Sequence, residues 1–195
     1  MSAALRPDLA IIAAQIAAGA RVLDIGCGDG ALMAALGARG VDARGMELDG
    51  ACVERCVARG LSVMQGDADR DLADYGDGAF DYAILSQALQ TMHRPADVVE
   101  QLLRIGKRAF VSFPNFAHWR VRASLLWSGR MPVTRLLPVA WYETPNIHHV
   151  TVRDFRAFAA QRGIRVEQAW FLSGDRLTSP AAAGWRAEHA VFLLG

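Results

Sequence analysis

The chain has 195 residues, of which 52% are hydrophobic and 21% are charged, and these proportions predict one folded domain over residues 1–195 with a substantial core. The formal net charge is +1, which argues against a generally basic nucleic-acid-binding protein. The apolar run at 10–20 is too short to span a bilayer, so we expect neither a nucleic acid nor a membrane as a partner.

Strand-length and helix-length segments alternate over the first 113 residues, and glycine or proline often separates them. The predicted strands cover 21–25, 42–48, 61–67, 80–86 and 107–113, and the predicted helices cover 8–18, 30–39, 50–59 and 96–105. Apolar strands that alternate with helices predict an α/β fold with a parallel sheet covered on both faces. Ligands of such sheets bind beyond the C-terminal ends of the strands.

The last third of the chain has a different pattern. Residues 114–150 contain four Pro and three Trp, which predicts an insert or lid with a helix at about 118–127. An amphipathic helix follows at 152–162, and then two strands at 163–172 and 188–195. No convincing helix separates these two strands, so we expect them to pair antiparallel. Such a hairpin after five parallel strands is typical of the Rossmann-like fold of class I methyltransferases, whose mostly parallel sheet has seven strands.

The segment VLDIGCGDGAL joins the first strand to a helix through a glycine-rich turn that fits two cofactor templates. Gly26, Gly28 and Ala31 match the G-x-G-x-x-G/A fingerprint of dinucleotide-binding folds. Gly26, Gly28 and Gly30, with Asp24 before them, match the turn of S-adenosylmethionine (SAM) methyltransferases. The glycines alone allow either cofactor.

Three features favour SAM, or its product S-adenosylhomocysteine, over a dinucleotide. Asp24 lies where dinucleotide-binding strands are usually apolar, and it suits the ammonium end of the methionine moiety. Alternate glycines let the backbone pass close to the methionine and the ribose, because no Cβ is present. The predicted terminal hairpin is the third feature.

Acidic and polar residues follow the other predicted strands. Glu47 can accept hydrogen bonds from both ribose hydroxyls, Asp67 from the adenine amino group, and Ser86 and Gln87 can line the methionine side of the pocket. The predicted cofactor-binding residues are Asp24, Gly26, Cys27, Gly28, Gly30, Glu47, Leu48, Asp67, Ala68, Ser86 and Gln87. Of the remaining acids in this half of the chain, we expect Asp69 and Asp71 to be solvated and Asp81 to be structural.

Catalytic residues are difficult to identify from the pattern, because methyl transfer needs little beyond alignment of the acceptor. His118 follows the fifth strand and is a weak candidate for a base, although such a histidine more often forms an ordinary hydrogen bond. SQAL after strand four and PNF after strand five lack the motifs of amino-group and cytosine-C5 methylases of nucleic acids. The pair His148 and His149 lacks the spacing of a metal site, so we expect no metal.

Two groups in the insert have open interpretations. Trp119, Trp127 and Trp141 are either lid core or a partner surface, since aromatic residues are enriched at interfaces. The cations Arg120, Arg122, Arg130 and Arg135 either bind an acidic partner or form a solvated face.

The cysteines Cys27, Cys52 and Cys56 are odd in number, and no secretory signal is recognisable. We expect buried thiols without a disulfide framework, in a protein of the reducing cytoplasm.

The quoted motifs together resemble one family. RVLDIGCGDGAL, ILSQALQ, FPNFAHWRVR, SGRMP and WYETPNIHH are similar to segments of the methionine-biosynthesis protein MetW family, over roughly residues 6–175. The resemblance implies a SAM-methyltransferase fold that works with homoserine O-acyltransferase, the enzyme that activates homoserine for methionine synthesis. It implies support or regulation of that enzyme, and the alternative is a SAM-dependent methyltransferase with a small-molecule acceptor.

Overall fold

The computed structural model describes residues 5–134 and 137–195. The helices are α1 Pro7–Gln15, α2 Ala31–Gly37, α3 Gly50–Ala58, α4 Ala68–Asp71, α5 Pro95–Ile105, α6 Trp119–Ser128, α7 Val152–Gln161 and α8 Ala183–Arg186. The strands are β1 Arg21–Ile25, β2 Asp42–Glu47, β3 Ser62–Gln65, β4 Phe80–Ser86, β5 Gly106–Pro114, β6 Val166–Ser173, β7 Arg176–Leu177 and β8 His189–Leu194. Single turns of 3₁₀ helix lie at 72–74 and 89–91.

One sheet contains all of these strands, in the order β3-β2-β1-β4-β5-β8-β6-β7. The first five strands pair parallel, and β8 lies antiparallel between β5 and β6. The predicted α/β architecture, a mostly parallel sheet with a C-terminal antiparallel hairpin, is therefore confirmed. The sheet has eight strands rather than seven, because the two-residue strand β7 turns back onto β6.

The core lies on both faces of the sheet, because successive strand residues point to opposite sides. Val22 packs with α1 and α2 on one face, whereas its neighbour Leu23 packs with α5 and α7 on the other. In β5, Phe110 packs on the same face as Val22 and Phe113 on the same face as Leu23, and both are fully buried. Each such side chain contributes about 1.5–3 kcal/mol through burial, so the two layers fix the strand ends from which the site is built.

The segment between β6 and β8 differs from its prediction. It contains the four-residue helix α8, whereas no helix was expected there. The amide of Asn115 donates to the carbonyl oxygens of Ala183 and Ala187 at 3.3 and 2.9 Å, and both alanines are fully buried. A tertiary contact from the end of β5 therefore holds this turn, and local sequence carries no such signal.

The chain reverses its direction across the sheet between β1 and β4. From β1 it continues outward to β2 and β3, and it then returns to β4 on the other side of β1. This reversal opens a crevice at the C-terminal ends of β1 and β4, where open α/β sheets bind their ligands.

None of the helices in the described part of the chain combines the length and the apolar character that crossing a membrane requires.

Candidate functional site

The glycine-rich turn after β1 has a backbone conformation that residues other than glycine rarely adopt. Gly26, Gly28 and Gly30 have φ angles of 68°, 58° and 75°, in the left-handed region that favours glycine. The Gly26 N–H donates to the carbonyl of Met46 at 2.8 Å, and the Gly28 N–H donates to Glu47 Oε2 at 2.7 Å. The turn is therefore fastened to the end of β2.

The three glycines are needed for different reasons. A Cβ on Gly28 would meet no atom within 4 Å, whereas one on Gly26 would lie 3.3 Å from the Ala88 side chain. A Cβ on Gly30 would come within 2.4 Å of Leu61. Open space beside Gly28 suits the close approach of a ligand, while Gly30 is required for packing.

Cys27 lies within the turn but directs its side chain into the protein. It is buried and packs with Met33 and Cys56. Burial raises the pKa of its thiol, and the neighbouring Asp24 carboxylate acts in the same direction. Only the backbone of Cys27 is therefore suited to contact a ligand. The cysteines Cys27, Cys52 and Cys56 are all free thiols.

Glu47 closes the turn against the next loop. Its Oε1 accepts hydrogen bonds from the N–H groups of Leu48 and Asp49 at 2.9 and 3.0 Å, while its Oε2 accepts from Gly28. Each carboxylate oxygen has two acceptor positions, so Oε2 keeps one for a ligand hydroxyl.

A cleft of about 440 Å³ opens at this edge of the sheet. It brings together five of the predicted residues, Gly26, Glu47, Leu48, Asp67 and Ala68. Its other walls include residues that the sequence analysis did not identify. These are Ile25, Met46, Gly66, Asp69, Ala88, Thr91, Met92, His93 and Pro145. Pro145 is far from the glycine turn in sequence, and no local pattern marks it.

Asp24 is buried at the end of β1, with 3% of its surface exposed. No side chain or N–H group in the described ranges donates a hydrogen bond to its carboxylate. Burial raises the pKa of this carboxyl to about 7, although the positive charge of Arg6 opposes the change. A buried carboxylate is costly without a donor, so Asp24 is suited to receive a cationic group from a ligand.

Ser86 belongs to a buried network rather than to the cleft wall. Its hydroxyl donates to Asp8 Oδ2 at 2.8 Å and accepts from Arg6 at 2.8 Å. Ser112 donates to the same Asp8 oxygen at 3.1 Å. Burial tends to raise the pKa of Asp8, but Arg6 and the two hydroxyls lower it overall. The network was not predicted, because Asp8 shows in the sequence only as an acid in the first turn of a helix.

Gln87 lies beside this network in a second cleft of about 290 Å³. It is a non-glycine residue with a positive φ, 57°, a strained conformation that concentrates at functional sites. Its side-chain amide lies 3.0 Å from Nδ1 of His189, and Arg6 and Asp175 complete the polar wall. Gln87 therefore lines a polar cleft, whereas the next residue, Ala88, lines the 440 Å³ cleft.

The acids after β3 hold the cleft loops together. Asp67 begins α4 and accepts from the Asp69 N–H at 3.0 Å. Asp69 accepts from the N–H groups of His93 and Arg94 at 2.9 and 2.8 Å, and Asp71 accepts from the Asp67 N–H. Asp69 and Asp71, which were expected to be solvated, are half-buried, and they also accept backbone hydrogen bonds because two loops converge here and their N–H groups need acceptors.

Hydrogen bonds show what the side chains of Asp81 and His118 contact. Asp81 has its expected structural role, since it accepts from the Arg21 N–H and from Lys107. His118 begins α6, where its Nδ1 accepts from the Arg120 N–H at 3.4 Å, and its side chain is buried. Burial lowers the pKa of His118. His118 does not line the 440 Å³ cleft.

The insert exposes much of its aromatic surface. Trp127 and Trp141 are 82% and 75% exposed, and Trp119 is 41% exposed, so these residues are not lid core. Arg120 lies over the ring of Trp119 and Arg122 over that of Trp185. Arg135, the fourth cation predicted for this group, falls outside the described residues. In the remainder of the chain, no three His, Cys, Asp or Glu side chains form a group able to hold a metal ion.

Two curated relatives match part of the chain. A protein from Rhodopirellula baltica called bifunctional methionine biosynthesis protein MetXA/MetW is 32% identical over 171 residues, which are 83% of this chain and 27% of that protein. A ubiquinone biosynthesis O-methyltransferase from Methylococcus capsulatus is 33% identical over 114 residues, 56% of this chain and 48% of that protein. The chain thus spans about a quarter and about half of the lengths of these relatives.

A solved structure has the same fold over nearly the whole chain. A SAM-dependent methyltransferase from Mesorhizobium loti superposes with a TM-score of 0.71 at 17% identity, covering 96% of this chain and 97% of its own. At this identity the similarity concerns the fold, which is that of the class I methyltransferases.

A family model, described as methionine biosynthesis protein MetW, matches residues 6–194. The match begins at Arg6, the first residue of the Arg6–Asp8 network, includes the glycine turn and the insert, and ends in the last strand. The chain therefore belongs to the MetW family of methionine biosynthesis proteins.

Proposed function

We propose that the chain binds SAM or S-adenosylhomocysteine and supports or regulates homoserine O-acyltransferase in methionine biosynthesis. The observation that carries the cofactor part is the buried Asp24 carboxylate, which lacks a donor among the described residues. Asp24 is the next-to-last residue of β1, and the two residues that follow it, Ile25 and Gly26, line the cleft. In this proposal the chain acts as one domain, and the segment at about 114–150 is an insert beside the cleft. The three free thiols suit a protein of the cytoplasm.

The residues of the cleft fit the groups of the cofactor. Asp24 would accept from the methionine ammonium, and Glu47 would accept from a ribose hydroxyl at the free position of Oε2. Leu48, Asp67 and Ala68 would contact the adenine. Gly26, Gly28, Gly30 and Cys27 would contribute backbone, and Ser86 and Gln87 would lie at the methionine end. SAM supplies an electrophilic methyl group on its sulfonium when it is bound.

Regulation is favoured over catalysis because His118, the candidate base of the sequence analysis, does not line the cleft. His118, the weak candidate, is buried as the first residue before α6, and its Nδ1 already accepts from a backbone N–H. Burial lowers the pKa of His118, so the ring is neutral near pH 7. The ring nevertheless packs against the start of α6 and does not line the cleft. Because SAM is a downstream product of methionine, a SAM-binding partner of the acyltransferase can couple methionine supply to the SAM concentration.

The partner proposal is supported by the relative from Rhodopirellula baltica, whose name joins MetXA and MetW in one polypeptide. A covalent fusion keeps two proteins at high effective concentration. The resemblance to the MetW family names the acyltransferase as that partner.

A second candidate function is methyl transfer to a small polar molecule. The 290 Å³ cleft beside the strained Gln87 favours it, as does the relative called an O-methyltransferase. Incubation with labelled SAM and a metabolite extract tests this function, and the absence of any labelled product would exclude it for the compounds present.

Ligand-dependent melting tests the cofactor. We expect S-adenosylhomocysteine to raise the melting temperature, because a ligand that binds only the folded state stabilises it by mass action. NAD serves as the control ligand. A shift with NAD and none with SAM or S-adenosylhomocysteine would show that the cofactor assignment is wrong.

Co-purification tests the partner. The tagged chain and the homoserine O-acyltransferase of the same organism are co-expressed, and the eluate is analysed for a complex. Absence of a complex, together with an unchanged acyltransferase activity, would rule out the partner proposal.

A further inference from the structure

The insert presents a large apolar surface to solvent, which we call the α6 surface. Of the ten residues of α6, only Val121 is buried. Leu126 and Trp127 are 80% and 82% exposed, and Trp141 and Tyr142 are 75% and 71% exposed. The α6 surface consists of Leu125, Leu126, Trp127, Val133, Trp141 and Tyr142. Several large apolar side chains that are exposed within one segment, residues 125–142, mark a candidate interaction site.

An apolar pocket of about 310 Å³ adjoins this surface. Its walls are formed mainly by Phe116, Met131, Leu137 and Val139, and Trp141 belongs to both the pocket and the surface. Protein interfaces derive most of their energy from a few aromatic or aliphatic side chains that enter such pockets. The pocket therefore supplies an anchor point within the α6 surface.

The charges around the surface indicate what kind of partner it fits. Residues 115–142 contain no Asp or Glu, while Arg120, Arg122 and Arg130 lie on or next to α6. A second copy docked with two-fold symmetry would place the same patch against itself, and its arginines would repel one another. An apolar partner surface with an acidic rim complements both features.

One segment joins this surface to the cofactor cleft. Thr144, Asn146 and His149 line the 310 Å³ pocket, whereas Pro145, between them in sequence, lines the 440 Å³ cleft. A single segment, residues 144–149, thus forms part of the wall of both sites.

Hydrogen bonds fasten this segment to the loop that closes the cleft. The N–H groups of Ile147 and His148 donate to the carbonyl of Gln90 at 2.8 and 3.0 Å. Gln90 lies between Ala88 and Thr91, which are cleft residues. Gln90 Oε1 and His148 Nε2 are buried, and neither has a hydrogen-bond partner among the described residues. Because an unmade buried hydrogen bond is costly, a rearrangement here is favourable when it completes them.

We propose that the α6 surface binds the acyltransferase and that residues 144–149 couple this docking to occupancy of the cofactor cleft. The inference rests on the function proposed above, and it adds where the partner binds and how the cofactor influences it. Coupling between two sites is reciprocal. Any factor by which S-adenosylhomocysteine changes the affinity for the acyltransferase must equal the factor by which the acyltransferase changes the affinity for S-adenosylhomocysteine.

The test measures the dissociation constant of the full chain for the purified acyltransferase, with and without S-adenosylhomocysteine. Trp127→Ala and Leu126→Ser are expected to weaken binding by at least about 30-fold, because truncation of a central anchor has effects of that size. Leu177→Ser is the matched control, since Leu177 is also an exposed apolar residue, 64% exposed, but lies on the edge strand β7. It is expected to leave the affinity within about twofold, as surface changes away from a contact usually do.

The coupling is read from the same titrations. Saturating S-adenosylhomocysteine is expected to change the affinity for the acyltransferase by at least about fivefold, and the affinity for S-adenosylhomocysteine must change equally. An unchanged affinity for the acyltransferase would overturn the coupling.

Other outcomes separate this inference from the function on which it rests. If the wild-type chain binds the acyltransferase and the two α6 variants bind equally well, the surface is wrong while the proposed function stands. If the wild-type chain does not bind at all, the proposed function itself fails. A wild-type dimer that Trp127→Ala dissociates, or Trp127-dependent binding to phosphatidylserine vesicles, would assign the surface to a second copy or to a membrane and overturn the inference.

Discussion

Two buried carboxylates near the crevice have pKa values that shift in opposite directions. Asp8 is buried too, but Arg6 and two hydroxyls stabilise its charge and lower its pKa. Asp24 has no such donors, so burial dominates and raises its pKa to about 7. Both carboxylates are similarly shielded from solvent, but the pKa falls where hydrogen-bond donors are present and rises where they are absent. The hydrogen-bonded Asp8 therefore stabilises the fold, whereas we propose that Asp24 receives a ligand.

Asp24 predicts a particular pH dependence of stability. Its pKa is higher in the folded state than in the unfolded state, so the folded chain binds the extra proton between about pH 4 and pH 7. Folding stability then falls as the pH rises through this interval, by an amount on the order of 4 kcal/mol. Asp24→Asn removes this loss. We expect the ligand-free variant to melt above the wild type at pH 8, and the two to converge as the pH falls towards 4.

Comparing the wild type with Asp24→Asn at each pH controls for every other group that titrates. His118 has a lowered pKa, so it adds stability as the pH rises, but it does so equally in both chains. Asp24→Asn must also weaken S-adenosylhomocysteine binding at pH 8, because it removes the negative charge that, in our proposal, faces the ammonium. A variant that binds as tightly as the wild type would contradict the role of Asp24.

Valine substitutions at two glycines test whether the glycine-rich turn contacts the cofactor. Gly28 and Gly40 both have positive φ angles, 58° and 77°, and a Cβ on either would meet no atom within 4 Å. Valine at either position is therefore expected to cost a similar amount, about 1–3 kcal/mol of strain. Only Gly28→Val should abolish the melting shift with S-adenosylhomocysteine, because Gly40 lies at the end of α2, away from the cleft. Loss of the shift in both variants would point to a general effect on folding.

At the scale of elements, the parallel half of the sheet was predictable because each strand carries its own apolar run and each is punctuated by Gly or Pro. Boundaries agree closely, as at 80–86 and at Arg21–Ile25. The hairpin was predictable from the lack of a helix-length pattern between its strands. The helix α8 was missed, because the contacts that hold it come from Asn115, distant in sequence.

The side chain of Asn115 links three elements through hydrogen bonds, so its removal is expected to cost much stability. Its amide donates to two carbonyls of the α8 region, and its Oδ1 accepts from the N–H groups of Ala117 and Val152 at 3.2 and 3.4 Å. Asn115→Ala leaves these buried groups unsatisfied, so we expect the free energy of unfolding to fall by about 2–4 kcal/mol. Urea denaturation measures it.

Asn146→Ala is the matched control, because the side chain of Asn146 forms no hydrogen bond within the described ranges. We expect its effect on the free energy of unfolding to stay within about 0.5 kcal/mol. Equal losses in the two variants would show that the network around Asn115 contributes nothing particular.

At the scale of the whole molecule, the sequence located the cofactor edge but not the way its parts connect. The order of strands follows from general rules for α/β folds, so Asp24, Glu47 and Asp67 were expected at one edge. Five predicted residues do line one cleft. The position of Pro145 in the same cleft was not predictable, since it depends on how an irregular segment folds back across the sheet.

The same limit applies to the insert. Its Trp and Arg residues were open to two interpretations, because composition does not say which side chains face solvent. The exposure of Trp127 and Trp141 decides against a lid core, and the pocket next to them gives the surface its proposed use. In our proposal the molecule therefore has two sites that share a wall, one for a cofactor and one for a protein.

We propose above all that the chain acts on homoserine O-acyltransferase in response to SAM. The most direct measurement is the initial rate of the purified acyltransferase as the chain is titrated, at zero and at saturating SAM. We predict that the chain raises the rate with saturation, that SAM changes this effect, and that Gly28→Val still acts but no longer responds to SAM. An acyltransferase rate that is the same with and without the chain, at every SAM concentration, would contradict the account.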